Sequence, residues 1–275
     1  MTLIDSKHKH GKMEHFHQKL SDIRSNAYAQ MFGKSYSVSD DKVVTAARKK
    51  IKKEGKSSSL LLQLASALCL QFRYREAIEI CEKVLENERE NYSAKRMLAI
   101  RYMSTGQIDK SLKMFLSLKE ESRDMLDIAY RIALCYFYKG EYVAAKNEFY
   151  KAFDFCKDNP EMFIAVLYWY LFCLVMLKED INEALRLYRP MDVGHHVGYD
   201  YALRVFLGEP SSKFEELSKA DNLTRIMYLV GLYFYYVFKG ESELAEKTFN
   251  EALCCDEYWS SFSGLAVWYM KIKEK

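Results

Sequence analysis

Along "IALCYFYKGEYVAAKNEFYKAF" (132–153) the apolar positions recur every three or four residues on both sides of Gly140, which is the period of one face of an α-helix. The spacing predicts two helices joined at the glycine, because glycine enters the left-handed conformation of a tight interhelical turn without steric cost. Small residues interrupt the rings at Ala133, Ala145 and Ala152. Stepping back 34 residues brings "LAIRYMSTGQIDKSLKMFLSL" (98–118) into register, with Ala99, Tyr102, Gly106, Ser111, Phe115 and Leu118. Another 34 back lies "LASALCLQFRYREAIEICEKVL" (64–85), with Ala65, Leu68, Tyr74, Ala77, Cys81 and Val84. Further on, "LYFYYVFKGESELAEKTFNEAL" (232–253) repeats the pattern with Tyr236, Gly240, Ala245, Phe249 and Ala252. Such a period signals stacked helix pairs, neither helix of which can bury its apolar face alone. The small residues let the two backbones approach, and Tyr136 and Phe149 fill the space between units.

This pattern resembles the tetratricopeptide repeat (TPR) family: a small residue and an aromatic on helix A, a turn glycine, then alanine, an aromatic and alanine on helix B. The resemblance implies an all-α, TPR-type α-solenoid of antiparallel helix pairs with a C-terminal capping helix. Repeats are expected near 58–91, 92–125 and 126–159. The register then breaks, since Ala184 follows Ala145 by 39 residues. Residues 160–192 read as a divergent repeat whose first helix is lengthened and opens at Pro160. A degenerate repeat (193–223), a full one (226–258) and a cap (259–275) complete the array over 38–275. The second half is also similar to certain bacterial outer-membrane TPR lipoproteins, adaptors for cell-wall hydrolases and a processing protease. Their lipid-bearing cysteine has no counterpart, since the first cysteine here is Cys69.

Ahead of the repeats, "SVSDDKVVTAARKKIKKEG" (37–55) predicts a helix that starts at Ser/Asp and stops at Gly55. Within the arm of residues 1–37, Met13, Phe16, Leu20, Ile23 and Ala27 form an apolar stripe on a helix of roughly 12–32. That stripe is expected to pack on the chain's own array or on a second copy, as a homodimer.

Composition narrows the class. Apolar residues make up 49% and charged residues 29%, with only 3 Pro and 11 Gly in 275 residues, values that favour a helical globular chain. No uninterrupted apolar run reaches the ~18 residues of a membrane span, and "MTLIDSKHKHGKMEHFHQKL" lacks the apolar segment of a secretory signal. Seven cysteines without a CxxC pair read as thiols in a reducing cytoplasm. Net charge is +3, but residues 1–60 hold 13 Lys/Arg against 6 Asp/Glu, so a basic arm adjoins a mildly acidic body.

Candidate chemistry is sparse. The six histidines lie at 8, 10, 15, 17, 195 and 196, outside the regular repeats. "HKHGKMEHFH" reads as a solvated arm and His195–His196 as a polar turn, and no nucleotide-loop, zinc-protease or nucleophile-elbow string occurs. No catalytic residue, metal or cofactor is expected, and the chain is not read as an enzyme. The run Arg48, Lys49, Lys50, Lys52 and Lys53 reads as a solvated helix end favoured by the macrodipole. The alternative is a regulator that contacts nucleic acid or an acidic partner through 42–56, with nucleic acid the less expected of the two.

The family places a concave groove on fixed helix A positions. Those of the first unit are Ser59, Leu62, Ser66, Cys69 and Leu70. The positions expected to bind a partner are Leu62, Arg96, Met103, Tyr130, Arg131, Leu134, Phe137, Tyr138, Trp169 and Phe234. TPR domains that clamp an acidic chaperone tail use Lys and Asn in the first units. Here Leu62, Ser66 and Met97 stand at those places and only Arg131 matches, so a carboxylate clamp is not expected. The groove is apolar, and open to water it would exceed the patch that monomers tolerate, so something should cover it. The expected occupant is an apolar peptide or helix of a protein partner, bound by a non-catalytic scaffold; packing of the superhelix on itself is the other cover weighed.

Overall fold

A computed structural model describes residues 20–34, 37–119 and 124–273; the expected start of the first helix, residues 12–19, lies outside them. Among the described residues there are fifteen α-helices, three short 3-10 turns and no strand. Two helices precede the array, α1 (Leu20–Phe32) and α2 (Lys42–Glu54). Antiparallel pairs follow: α3 (Ser58–Leu70) with α4 (Tyr74–Asn87), α5 (Tyr92–Met103) with α6 (Ile108–Leu118), and α7 (Met125–Lys139) with α8 (Tyr142–Ala152). The less regular units are α9 (Pro160–Leu177) with α10 (Asn182–Arg186), and α11 (Val197–Phe206) with α12 (Ser212–Ser218). Next come α13 (Asn222–Lys239) and α14 (Ser242–Leu253), then a terminal helix, α15 (Phe262–Lys273).

The local causes are those of the sequence pattern. Side chains of Asp41, Ser57, Asn91, Asp124, Asn159 and Asp221 each accept from an amide in the first turn of the helix they open. Each such cap contributes about 1 kcal/mol. Gly140 ends α7 at φ 77°, ψ 15°, the left-handed stop that the turn needs. The small positions touch as expected: Ala65, Ala77, Ala99, Ala133 and Ala145 have no exposed surface. Ser111, standing where the next unit has Ala145, donates its hydroxyl proton to the Ala99 carbonyl at 2.8 Å, which satisfies it inside the pair.

Among the described residues two positions make the left-handed turn without glycine, Phe72 at φ 56° and Lys178 at φ 57°. Lys178 is exposed and ends α9. An L side chain there costs on the order of 1 kcal/mol, partly offset by the chain entropy that glycine would lose. Lys178→Gly is therefore expected to stabilise by about 0.5 kcal/mol and raise Tm by about 1–2 °C. Calorimetry showing an unchanged or lower Tm would rule out strain at this turn.

The array closes on itself. Helix α9 is its axis, with eleven of its 18 residues buried, among them Tyr168, Trp169 and Phe172. Among the described residues this helix is, by length and composition, the one apolar enough to cross a membrane, with mean hydropathy 1.8. The uninterrupted apolar run starts at Met162 and falls short of that length, but the Pro160–Glu161 turn extends the helix to 18 residues. Protein covers most of it. The terminal helix α15 packs on α13 and α14 as a cap and also reaches α7 across the array.

Helix α1 lies on the same body, with its stripe at Ile23, Ala27 and Met31 buried. Arg75 pins it, donating to the Gln30 carbonyl at 2.7 and 3.0 Å and to the Thr105 carbonyl at 3.1 Å. The described part of the stripe thus packs on the chain's own array, one of the two supports expected for it.

Candidate interaction face

The expected groove residues divide sharply by position. Met103, Tyr130, Leu134, Phe137, Tyr138, Trp169 and Phe234 are all buried, none more than 3% exposed. Reading them as an open partner-binding surface is corrected by their burial. The physical reason is that α15 lies against this face, and α9 and α13 fill the rest of it. Tyr138 stacks on Tyr269 at 5.0 Å between ring centroids and donates its phenol proton to the Phe262 carbonyl at 2.7 Å. From the other side, Tyr269 donates to the Met103 carbonyl at 2.6 Å. Tyr130 meets the edge of Phe262 at 5.4 Å, and Phe137 touches both Trp169 (5.0 Å) and Phe234 (5.8 Å). Just before α15, Trp259 packs on Tyr74 at 5.6 Å, while Tyr74 donates to Ser260 at 2.9 Å.

The two arginines expected to orient a ligand have partners within the chain. Asp127 receives Arg96 at 2.7 Å and Arg131 at 2.8 Å, so the carboxylate bridges both. The Arg131 guanidinium also lies 5.3 Å from the Phe262 ring centroid, a cation–π contact with the helix that fills the groove.

The amino-terminal end of the concave face stays open. A cleft of about 880 Å³ runs along α2, α3 and the start of α5, lined by Val43, Ser59, Leu62, Gln63, Ser66 and Leu70 among others. Leu62 is half-buried there and Leu70 is 59% exposed. At its rim Glu88 accepts from Ser58 at 2.5 Å and Asn91 at 2.7 Å, bonds that hold its carboxyl below the usual carboxylate range.

The basic helix α2 borders this cleft through Val43, and Lys50 follows two turns later on the same face. Lys49, Lys50, Lys52 and Lys53 are exposed. Arg48 is instead committed to Asp40 at 2.7 Å, and Asp40 also binds Arg73 at 2.6 Å. Hydrogen bonding from Arg73 is the largest cause of the lowered Asp40 pKa. The basic run thus splits into one structural arginine and four solvent-facing lysines.

Sequence reasoning missed the role of α15, although "YWSSFSGLAVWYM" is aromatic enough to signal a buried segment. It also missed Glu161, whose carboxylate meets His195 Nδ1 at 3.4 Å and His196 Nδ1 at 3.9 Å. Burial holds His196 down to about 4, the neighbouring His195 adding to the effect, so its ring is neutral at pH 7. All seven cysteines are free, and burial pushes the Cys81 and Cys135 thiols up to about 12, which leaves them poor nucleophiles.

Helix pairs stacked in register around a concave face define an α-helical repeat scaffold. Residues 68–135 match the model of the Tetratricopeptide repeat family, so that segment carries repeats of the family. In the structure of Naa15/Naa10 bound to HypK-THB, one chain aligns with 92% of this chain at 14% identity and a TM-score of 0.36. The alignment takes in 39% of that chain, so this one spans well under half its length. No curated protein matches the sequence.

Proposed function

We propose that this protein is a non-catalytic interaction scaffold, and that it takes an apolar, acidic segment of a partner protein at the open amino-terminal end of its concave face. The carrying observation is the contrast along that face. Its later positions already hold an apolar aromatic helix, α15, while Leu62 and Leu70 at the first unit stay accessible in a cleft of about 880 Å³. Serine and glutamine side chains around the leucines offer hydrogen bonds to a bound backbone, and large apolar anchors supply most of the affinity in such grooves. The exposed lysines of α2 favour acidic residues flanking the anchors and raise the association rate. Tetratricopeptide repeats serve protein interaction and are generally non-catalytic, which supports the same reading. The free cysteines support a reducing, cytoplasmic setting.

Leu70→Glu tests the proposal. Its side chain is mostly in water, so stability should change by no more than about 0.5 kcal/mol. A partner captured by the wild-type chain from its host should be lost more than ~10-fold by this variant, because a charge is placed against an apolar anchor. Capture that survives Leu70→Glu at wild-type strength would move the binding face elsewhere. The exposed lysines also favour a second reading, contact with nucleic acid through 42–56. It predicts heparin retention that Leu70→Glu leaves intact and that replacing Lys49, Lys50, Lys52 and Lys53 abolishes.

A further inference from the structure

Where the 34-residue register breaks, three side chains able to ligate a metal meet. Glu161 lies in the first turn of α9, directly after Pro160, and this turn is fixed by the Asn159 side chain accepting from the Met162 amide at 3.1 Å. His195 and His196 belong to the 3-10 turn Gly194–His196. One donor atom from each of the three residues lies within 4.8 Å of the other two. Ligands bonded at ~2.0–2.1 Å in a tetrahedral site stand about 3.3 Å apart. The observed separations of 3.4 and 3.9 Å from the Glu161 carboxylate therefore need little adjustment.

Independent features fix this arrangement. The Nδ1 atom of His196 is buried and has no hydrogen-bond partner among the described residues, a state that buried polar atoms seldom keep without a ligand. Its ring stacks at 5.4 Å and 19° on Tyr199, which is buried in the core. Gly194 sits at φ +53°, and a Cβ there would lie 2.3 Å from a Glu161 carboxylate oxygen, so the turn runs directly against that carboxylate. The Gly194 amide donates to Asp192 at 3.1 Å and holds the turn in place.

We propose that Glu161, His195 and His196 bind a divalent first-row transition-metal ion that ties the Gly194–His196 turn to the start of α9. Two imidazoles and a carboxylate form a zinc-type donor set that leaves one position open. His195 is 63% exposed and His196 only 16%, so the open position faces solvent on the His195 side. The ion clips the fourth unit to the fifth, where α10 has only five residues with which to hold its pair together.

The test is zinc titration of the full chain after stripping with a chelator, read by calorimetry and by Tm, with cobalt absorption as a report on geometry. Histidines 8, 10, 15 and 17 lie outside the described residues and offer a rival site, so a variant with these four replaced by alanine is titrated as well. One zinc per chain should persist in that variant. His195→Gln changes a side chain mostly in water, and Glu161→Gln keeps the size and shape of a half-buried one, so the metal-free Tm should hold. Each should weaken zinc binding at least ~10-fold, since even outer partners of metal ligands are worth that much. Zinc affinity unchanged in both, binding that disappears with the arm histidines, or no zinc binding at micromolar concentrations would each overturn the assignment.

Discussion

Phe137→Ala is expected to lower Tm by about 6–20 °C. The side chain is 3% exposed and touches the rings of Tyr138, Tyr142, Trp169 and Phe234. Removing a buried phenylalanine costs about 3–5 kcal/mol, the lost transfer energy plus that of the cavity left behind. For a chain near this size each kcal/mol moves Tm by about 2–4 °C. The same substitution at an open groove position would leave Tm nearly unchanged and abolish binding of a partner. Thermal melting therefore separates the two roles: a variant that melts like the wild type would mean that α9 and α13 leave Phe137 uncovered in solution.

Gly264→Val should release α15 from the groove. A Cβ at Gly264 would lie 2.3 Å from the Tyr258 carbonyl oxygen and 2.6 Å from that of Trp259, and backbone cannot move aside as a side-chain tip can. Overpacking of this kind costs about 1–3 kcal/mol, or about 2–12 °C in Tm. The loss should be local first. Amide exchange over 262–273 should quicken and the fluorescence of Trp259 and Trp268 should shift to the red, while α9 keeps its protection. Wild-type exchange rates over 262–273 would show that the helix start tolerates the branched side chain, and that the groove is held shut by other contacts.

Much of the architecture was legible because it is local. Ala133, Gly140 and Ala145 specify a helix, a left-handed stop and a close-packed partner helix from within one 34-residue window. The caps at Asp41 and Asn159 lie within a turn of the helices they start. The groove was legible only as a face. Tyr130, Phe137 and Trp169 recur at concave positions, and helical spacing shows which side of a helix is apolar without showing what lies opposite. Their apolar character fits a bound partner and a bound terminus equally well. What separates the two is the packing of residues far apart in sequence, such as Tyr138 on Tyr269. The metal-ligating cluster was illegible for the same reason, since Glu161 comes from a helix start and the histidines from a turn more than thirty residues later.

The sequence by itself determined the helix pairs, their turns, the broken register after residue 159 and the apolar concave stripe, because each arises from spacing within a few helical turns. The tertiary structure alone decided that the superhelix closes, that α15 together with α9 and α13 covers the stripe from Met103 to Phe234, and that Leu62 and Leu70 are left open at the amino-terminal end. Those outcomes depend on small rotations accumulated between successive units, which bring the last helix back to the first ones, and no local pattern encodes their sum.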